Sequence, residues 1–174
     1  MPKECVFVSD FLHLTALGRT DPHVERIGAV TIAERFSLSI VSISLRRGVV
    51  HHDEIWDELS TLSKFQTRPG QWFAIGEYDV SFSNSAKAVF GARATFTDQT
   101  DAWVIFDVAG PDKLFEKLCN VDVRKLEEGA AVRTVIAYIG CFLLRANGSF
   151  RVLGERSMAQ SLHHSLTRAA RSLL

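Results

Sequence analysis

Cysteine is scarce in this chain. The three present, Cys5, Cys119 and Cys141, are odd in number and widely spaced. With no Cys-x-x-Cys pair there is neither a zinc-knuckle nor a redox-dithiol signal, and the thiols are expected to be reduced and structural. An excess of one charge is also missing, since 20 basic residues balance 20 acidic ones. Nucleic-acid binders draw much of their affinity from neutralising phosphates, so no nucleic-acid partner is expected. Zero net charge leaves no long-range repulsion between copies, which favours life inside a complex and self-association of the isolated chain. Apolar runs fall far short of the about 20 residues that cross a bilayer, so no membrane partner is expected. The start, Met1-Pro2-Lys3-Glu4, lacks the charged and then apolar pattern of a signal peptide. A soluble, cytoplasmic protein is the expectation.

Motifs for chemistry are missing as well. A dinucleotide cofactor needs glycines between strand and helix so that backbone amides can approach the pyrophosphate. No Gly-x-Gly-x-x-Gly occurs, and no Walker lysine follows a Gly-rich loop. No Gly-x-Ser-x-Gly elbow is present, and Ser149 follows Gly148 on a hairpin turn. Cys141 lies in an apolar strand where desolvation disfavours a thiolate. Two His-His pairs, His51-His52 and His163-His164, invite a metal reading. Adjacent helical residues diverge by about 100°, so His163 and His164 cannot converge unaided, and no metal ligand is assigned. Glu127-Glu128 reads as a solvated loop, and Asp98 and Asp101 flank a turn. No catalytic, cofactor-binding or metal residue is expected.

What is present is a globular composition, 47% hydrophobic and 23% charged over 174 residues, enough for one domain without a metal or disulfide. Residues 1–27 have weak periodicity and read as an irregular arm ordered against a partner. Residues 28–174 read as a single α+β domain, with an internal boundary at Pro69-Gly70. Strands are expected over 29–33, 38–45 and 72–75, with helices over 53–63 and 83–90. The alternation in 92–97 and 103–108 around the Asp98–Asp101 turn predicts a hairpin. Gly110-Pro111 opens a helix with Leu114, Phe115, Leu118 and Cys119 on its apolar side. Strands over 132–138, 141–145 and from Phe150 follow, with Asn147-Gly148 as a tight turn. In the last helix Ser157 and Gln160 match a capping box, and Met158, Leu162, Leu166, Ala169, Ala170 and Leu173 form one stripe. The fold class expected is α+β, a largely antiparallel sheet with helices packed on it.

Four residues are candidates for a partner interface. Arg46, Arg47 and Arg156 read as surface arginines that serve solubility or contacts. Trp103 falls on the opposite face from Val104, Phe106 and Val108, so either a second internal layer or a partner covers it.

The ordered segments Asp98-Gln99-Thr100, Gly110-Pro111-Asp112, Leu118-Cys119-Asn120-Val121-Asp122-Val123, Gly129-Ala130-Ala131-Val132-Arg133-Thr134 and Glu155-Arg156-Ser157-Met158-Ala159 are similar to those of the gamma subunits of heterotetrameric sarcosine oxidase. Val30 to Arg35 and Arg46-Arg47-Gly48 fit the same pattern more loosely, and the likeness covers roughly three quarters of the chain. Those subunits resemble the folate-binding domain of the glycine-cleavage aminomethyltransferases, here in shortened form. The resemblance implies a non-catalytic subunit that serves assembly and holds no cofactor. FAD, FMN, NAD and tetrahydrofolate would then lie on the alpha, beta and delta partner subunits, which oxidise the N-methyl group of sarcosine. Two alternatives share the resemblance: a gamma-like subunit of an N-methylglutamate or dimethylglycine dehydrogenase, and an independent folate-binding protein of the aminomethyltransferase type. Aminomethyltransferases carry an acid in the strand after a glycine, whereas Ile139-Gly140-Cys141-Phe142-Leu143-Leu144-Arg145 has none. The lysine-glycine-cysteine-tyrosine run of folate-binding iron–sulfur assembly factors is missing too.

Overall fold

The computed structural model describes residues 14–49, 63–77 and 91–174. The expected helices over 53–63 and 83–90 fall outside these residues, apart from Ser63. Among the described residues, ten strands form two antiparallel sheets: β1 (Val24–Ile27), β2 (Val30–Glu34), β3 (Leu38–Leu45), β4 (Ser63–Arg68), β5 (Gln71–Glu77), β6 (Ala94–Asp98), β7 (Trp103–Ala109), β8 (Ala131–Ile136), β9 (Ile139–Ala146) and β10 (Ser149–Glu155). Two α-helices accompany them among the described residues, the one-turn α1 (Lys113–Glu116) and the terminal α2 (Ala159–Arg171). The larger sheet runs β1-β2-β7-β10-β9-β8 and the smaller β4-β5-β3-β6. The expected α+β class with antiparallel sheets is what the chain adopts.

Alternation along the central strands explains the layering. Side chains alternate across a strand, and in β7 Val104, Phe106 and Val108 face a core shared with Leu162 and Leu166 of α2. Ile105 faces the other way, into a second core with Phe142, Leu144 and Leu153 of the same sheet and Leu38, Ile40, Phe65, Phe73 and Ile75 of the smaller one. The larger sheet is therefore covered by α2 on one side and by the smaller sheet on the other. Strands buried on both faces lose the polar half of their pattern, which is why Cys141 to Leu144 reads as a continuous apolar run. In β3 both faces are indeed buried, with Val41 and Ile43 opposite Leu38 and Ile40.

Several expectations need correction. Residues 94–98 and 103–109 do not pair as a hairpin: β6 pairs with β3, while β7 pairs with β2 and β10. The 3-10 turn Thr100–Ala102 carries the chain from one sheet to the other. Pro69-Gly70 is no boundary, because β4 and β5 pair antiparallel across it, with Gly70 at φ 76°. Part of the expected arm is strand, since β1 pairs with β2 from Val24↔Ala33 to Ile27↔Val30. The residues just before it are tethered as well. Buried Glu34 accepts the amides of Leu17 and His23 at 3.1 and 3.4 Å. The capping box is not formed: Arg156–Met158 is a 3-10 turn, and Met158 at the start of α2 makes no side-chain cap. Met158 is exposed, while Ala159, Leu162, Leu166, Ala169 and Ala170 are buried and Leu173 packs beside them.

Two tight turns organise the last three strands. Asn147-Gly148 has φ values of 53° and 69° and closes the β9–β10 hairpin as expected. Ala137 and Tyr138, placed in a strand by the sequence reading, adopt φ 49° and 69° in the β8–β9 turn. Left-handed geometry favours Gly, which has no Cβ, and Asn, whose short polar side chain bonds the local backbone, over Ala and Tyr. The double substitution Ala137→Asn with Tyr138→Gly is therefore expected to stabilise the chain by about 1 kcal/mol. A higher urea midpoint at unchanged slope would show it, and a lower midpoint would contradict it. At Gly154 the backbone of β10 meets α2 so closely that an added Cβ would lie 2.6 Å from Leu162 Cδ2.

Candidate functional site

The four residues singled out for a partner interface do not form one surface. Trp103 opens β7, and its ring centroid lies 5.3 Å from Phe73 and 5.7 Å from Phe142. A second internal layer therefore covers this indole, although the residue stays partly accessible. Arg156 is not a lone surface arginine: its Nη2 donates to the Leu14 carbonyl at 2.7 Å, tying the N-terminal stretch to the start of the last helix. Trp103 and Arg156 line one small cavity of about 100 Å³ with Glu34, Arg35, Asp98 and Asp101. Arg46 and Arg47 are exposed after β3, at the opposite end of β6 from Trp103, as the pairing Leu45↔Ala94 requires.

A wider cleft of about 400 Å³ opens between the sheets. It is lined by Phe73, Trp103 and Phe142 and by Arg68, Arg133 and Glu155. Its size lies within the range of small-molecule sites. Two charges on the inter-sheet face of the larger sheet, Arg151 and Asp107, are paired with each other. Arg151, only 7% exposed, donates from Nε to Asp107 Oδ1 at 2.7 Å, and Arg35 Nη1 reaches Asp107 Oδ2 at 2.9 Å. Arg35 Nη2 also lies 3.6 Å from Glu77 at the end of β5. This network joins the two sheets through the loop after β2.

The chemical groups weighed in the sequence take structural positions. Cys141 is buried and its Sγ donates to the Ile139 carbonyl at 3.4 Å. Burial pushes its thiol up to about 11. At pH 8 roughly one Cys141 in a thousand would be thiolate, the reactive form. Brief iodoacetamide treatment of the native chain at pH 8 is expected to leave Cys141 unmodified by mass, with full modification after denaturation. Rapid native modification would contradict this. Within β9 no carboxylate follows Gly140, and Arg145 instead lies 4.5 Å above the Phe150 ring, with Asp112 at 3.5 Å. Glu128 is less idle than a solvated loop residue, because its two oxygens accept the amides of Asn147 and Gly148 in the hairpin turn.

The histidines of α2 diverge as helical geometry demands. His164 is exposed, whereas His163 turns inward with its ring centroid 5.0 Å from His23 and 5.8 Å from Phe106. Burial, helped by the nearby His23, holds the His163 pKa below its ordinary value. This approach of His163 to His23 and Glu25 escaped the sequence reading. The available signal was the His23-x-Glu25 spacing, which puts both side chains on one side of an extended segment.

Comparison with protein-family models and with curated protein sequences gave no match. Among solved structures, the chain is similar to a chain of heterotetrameric sarcosine oxidase from Corynebacterium sp. U-96 in complex with pyrrole 2-carboxylate. The TM-score is 0.71 at 18% identity, over 86% of this chain and 87% of that one. A second likeness, to the regulatory subunit of aspartate kinase from Thermus thermophilus, has a TM-score of 0.49 at 10% identity, over 84% of this chain and 99% of that one. At that score it carries no argument. Two stacked antiparallel sheets with a terminal helix, matched almost end to end, give this chain the fold of one chain of the heterotetrameric sarcosine oxidase.

Proposed function

We propose that the protein is a non-catalytic, gamma-like subunit of a heterotetrameric sarcosine oxidase-type complex and serves its assembly. The observation that carries this reading is the end-to-end likeness in fold to a chain of such a complex, 86% of one chain against 87% of the other. The ordered segments from Asp98 to Ala159 support it from the sequence side. On this reading FAD, FMN, NAD and tetrahydrofolate reside on alpha, beta and delta partners in the cytoplasm, and this chain supplies no cofactor ligand. A complex acting on N-methylglutamate or dimethylglycine would use the chain in the same way, because the substrate pocket belongs to a partner.

Docking falls to the exposed side chains that the core does not claim. Arg46 and Arg47 are exposed, and charge reversal at a rim lowers the association rate more than it alters folding. The double variant Arg46→Glu with Arg47→Glu is expected to recover several-fold less flavin-bearing partner than the native chain, with an unchanged melting temperature. Equal recovery would remove these two residues from the interface.

The inter-sheet cleft, with its aromatic lining and Arg68 and Arg133, favours one other reading, an independent folate carrier. Calorimetry of the isolated chain with tetrahydrofolate separates the two. The assembly role expects no saturable heat, and saturable binding would favour the carrier.

A further inference from the structure

A cluster of possible ligands for a metal ion joins the first strand to the last helix. One donor atom each from His23, Glu25 and His163 lies within 4.8 Å of the others. Glu25 Oε2 is 3.6 Å from His23 Nε2 and 3.3 Å from His163 Nε2. Bonds of about 2.0–2.1 Å in a tetrahedral zinc site set neighbouring donors about 3.4 Å apart. Two of the three separations therefore already suit an ion, and the third needs at most about 1.4 Å of closure from 4.8 Å. His163 Nε2 is sealed from solvent and makes no hydrogen bond among the described residues, its approach to Glu25 lacking the geometry of one. An orphaned buried nitrogen of this kind asks for an explanation, and ligation of a cation is one.

We infer that His23, Glu25 and His163 bind a divalent transition-metal ion of the zinc class, clasping β1 to α2. Two imidazoles and a carboxylate suit zinc better than calcium or magnesium, which take oxygen donors. Three protein ligands leave a fourth position for water, on the side of the groove lined by Glu25, Gln160, His163 and Thr167.

Two arginines shape the affinity. Arg171 Nη2 holds Glu25 Oε1 at 3.2 Å and leaves Oε2 to the ion. Such outer contacts orient a ligating carboxylate. Arg19 acts the other way. Its Nη1 lies 2.9 Å from His23 Nδ1, so in the neutral ring Nδ1 accepts and Nε2 carries the hydrogen. Ligation through Nε2 needs the other tautomer, and the exposed Arg19 must then turn aside. Arg19 is a built-in competitor of the ion.

The test uses the full chain, stripped with chelator and titrated with Zn²⁺ by calorimetry and with Co²⁺ by visible absorption. One ion per chain is expected, with the intense bands of tetrahedral cobalt and a melting temperature raised by Zn²⁺. His163→Ala and Glu25→Gln should each weaken binding at least tenfold and lose those bands, and Arg19→Gln should tighten it. His164→Ala should bind as the native chain does. If His163→Ala fails to fold, His23→Gln decides by the same criteria. No saturable binding by the native chain, or native-like binding after loss of His163 or His23, would overturn the proposal. Because binding is read on the isolated chain, its outcome is independent of the assembly role.

Discussion

Phe142→Ala is expected to destabilise the chain by about 3–5 kcal/mol. Phe142 projects from β9 into the layer between the sheets and is 8% exposed. Its ring centroid lies 5.2 Å from Phe65, 5.8 Å from Phe73 and 5.7 Å from Trp103. Three aromatic neighbours from three other strands meet on this one ring, so its loss removes transfer energy and also opens a cavity that rigid strands cannot collapse. For a chain of this length the melting temperature should fall by about 10 °C. Phe142→Leu, which keeps most of the volume, should cost less than half as much. A loss below about 1 kcal/mol for the alanine variant would mean that the sheets do not depend on this contact, and Trp103 would again need an external cover.

Asp107→Ala should cost about 3 kcal/mol, more than twice the cost of Arg151→Met. The asymmetry follows from the pairing. Asp107 accepts from both Arg151 and Arg35, so removing Arg151 leaves the carboxylate with a partner. Removing Asp107 strands the Arg151 guanidinium, 8% exposed at its side chain, between two sheets. Breaking a buried pair from the side that leaves a charge behind is costly, whereas an apolar replacement of similar length can be nearly neutral. Urea unfolding of the two variants decides it. Equal losses, or a larger loss for Arg151→Met, would contradict the pairing described.

Much of this architecture could be read from residue order, and the failures share a cause. The stripe Leu162, Leu166, Ala169, Ala170 needed only helical periodicity, and Asn147-Gly148 needed only turn chemistry, so both were legible. Periodicity reports which face of a strand is buried but not which strand lies beside it. That is why 92–97 and 103–108 read as a hairpin, although the strands there sit in different sheets. Pro69-Gly70 misled for a related reason, because the same dipeptide serves a hairpin turn or a linker. Val24 to Ile27 was missed because an edge strand carrying Val24, Glu25 and Arg26 shows little apolar pattern. Ala137-Tyr138 gave no turn signal, since neither residue favours positive φ. The buried pairings of Arg151 with Asp107, and of Glu34 with the amides of Leu17 and His23, depend on long-range register that no local pattern reveals. The His23–Glu25–His163 cluster spans 140 residues of sequence for the same reason, as their numbers show.

The assembly role is the central claim, and the native mass of the protein in its source cells tests it most directly. A tagged copy of the chain, gently isolated and weighed by native mass spectrometry, should appear in a hetero-oligomer far heavier than its own 19.4 kDa, with flavin absorbance in the same species. Recovery of the chain alone, or only with copies of itself and without flavin, would contradict the account.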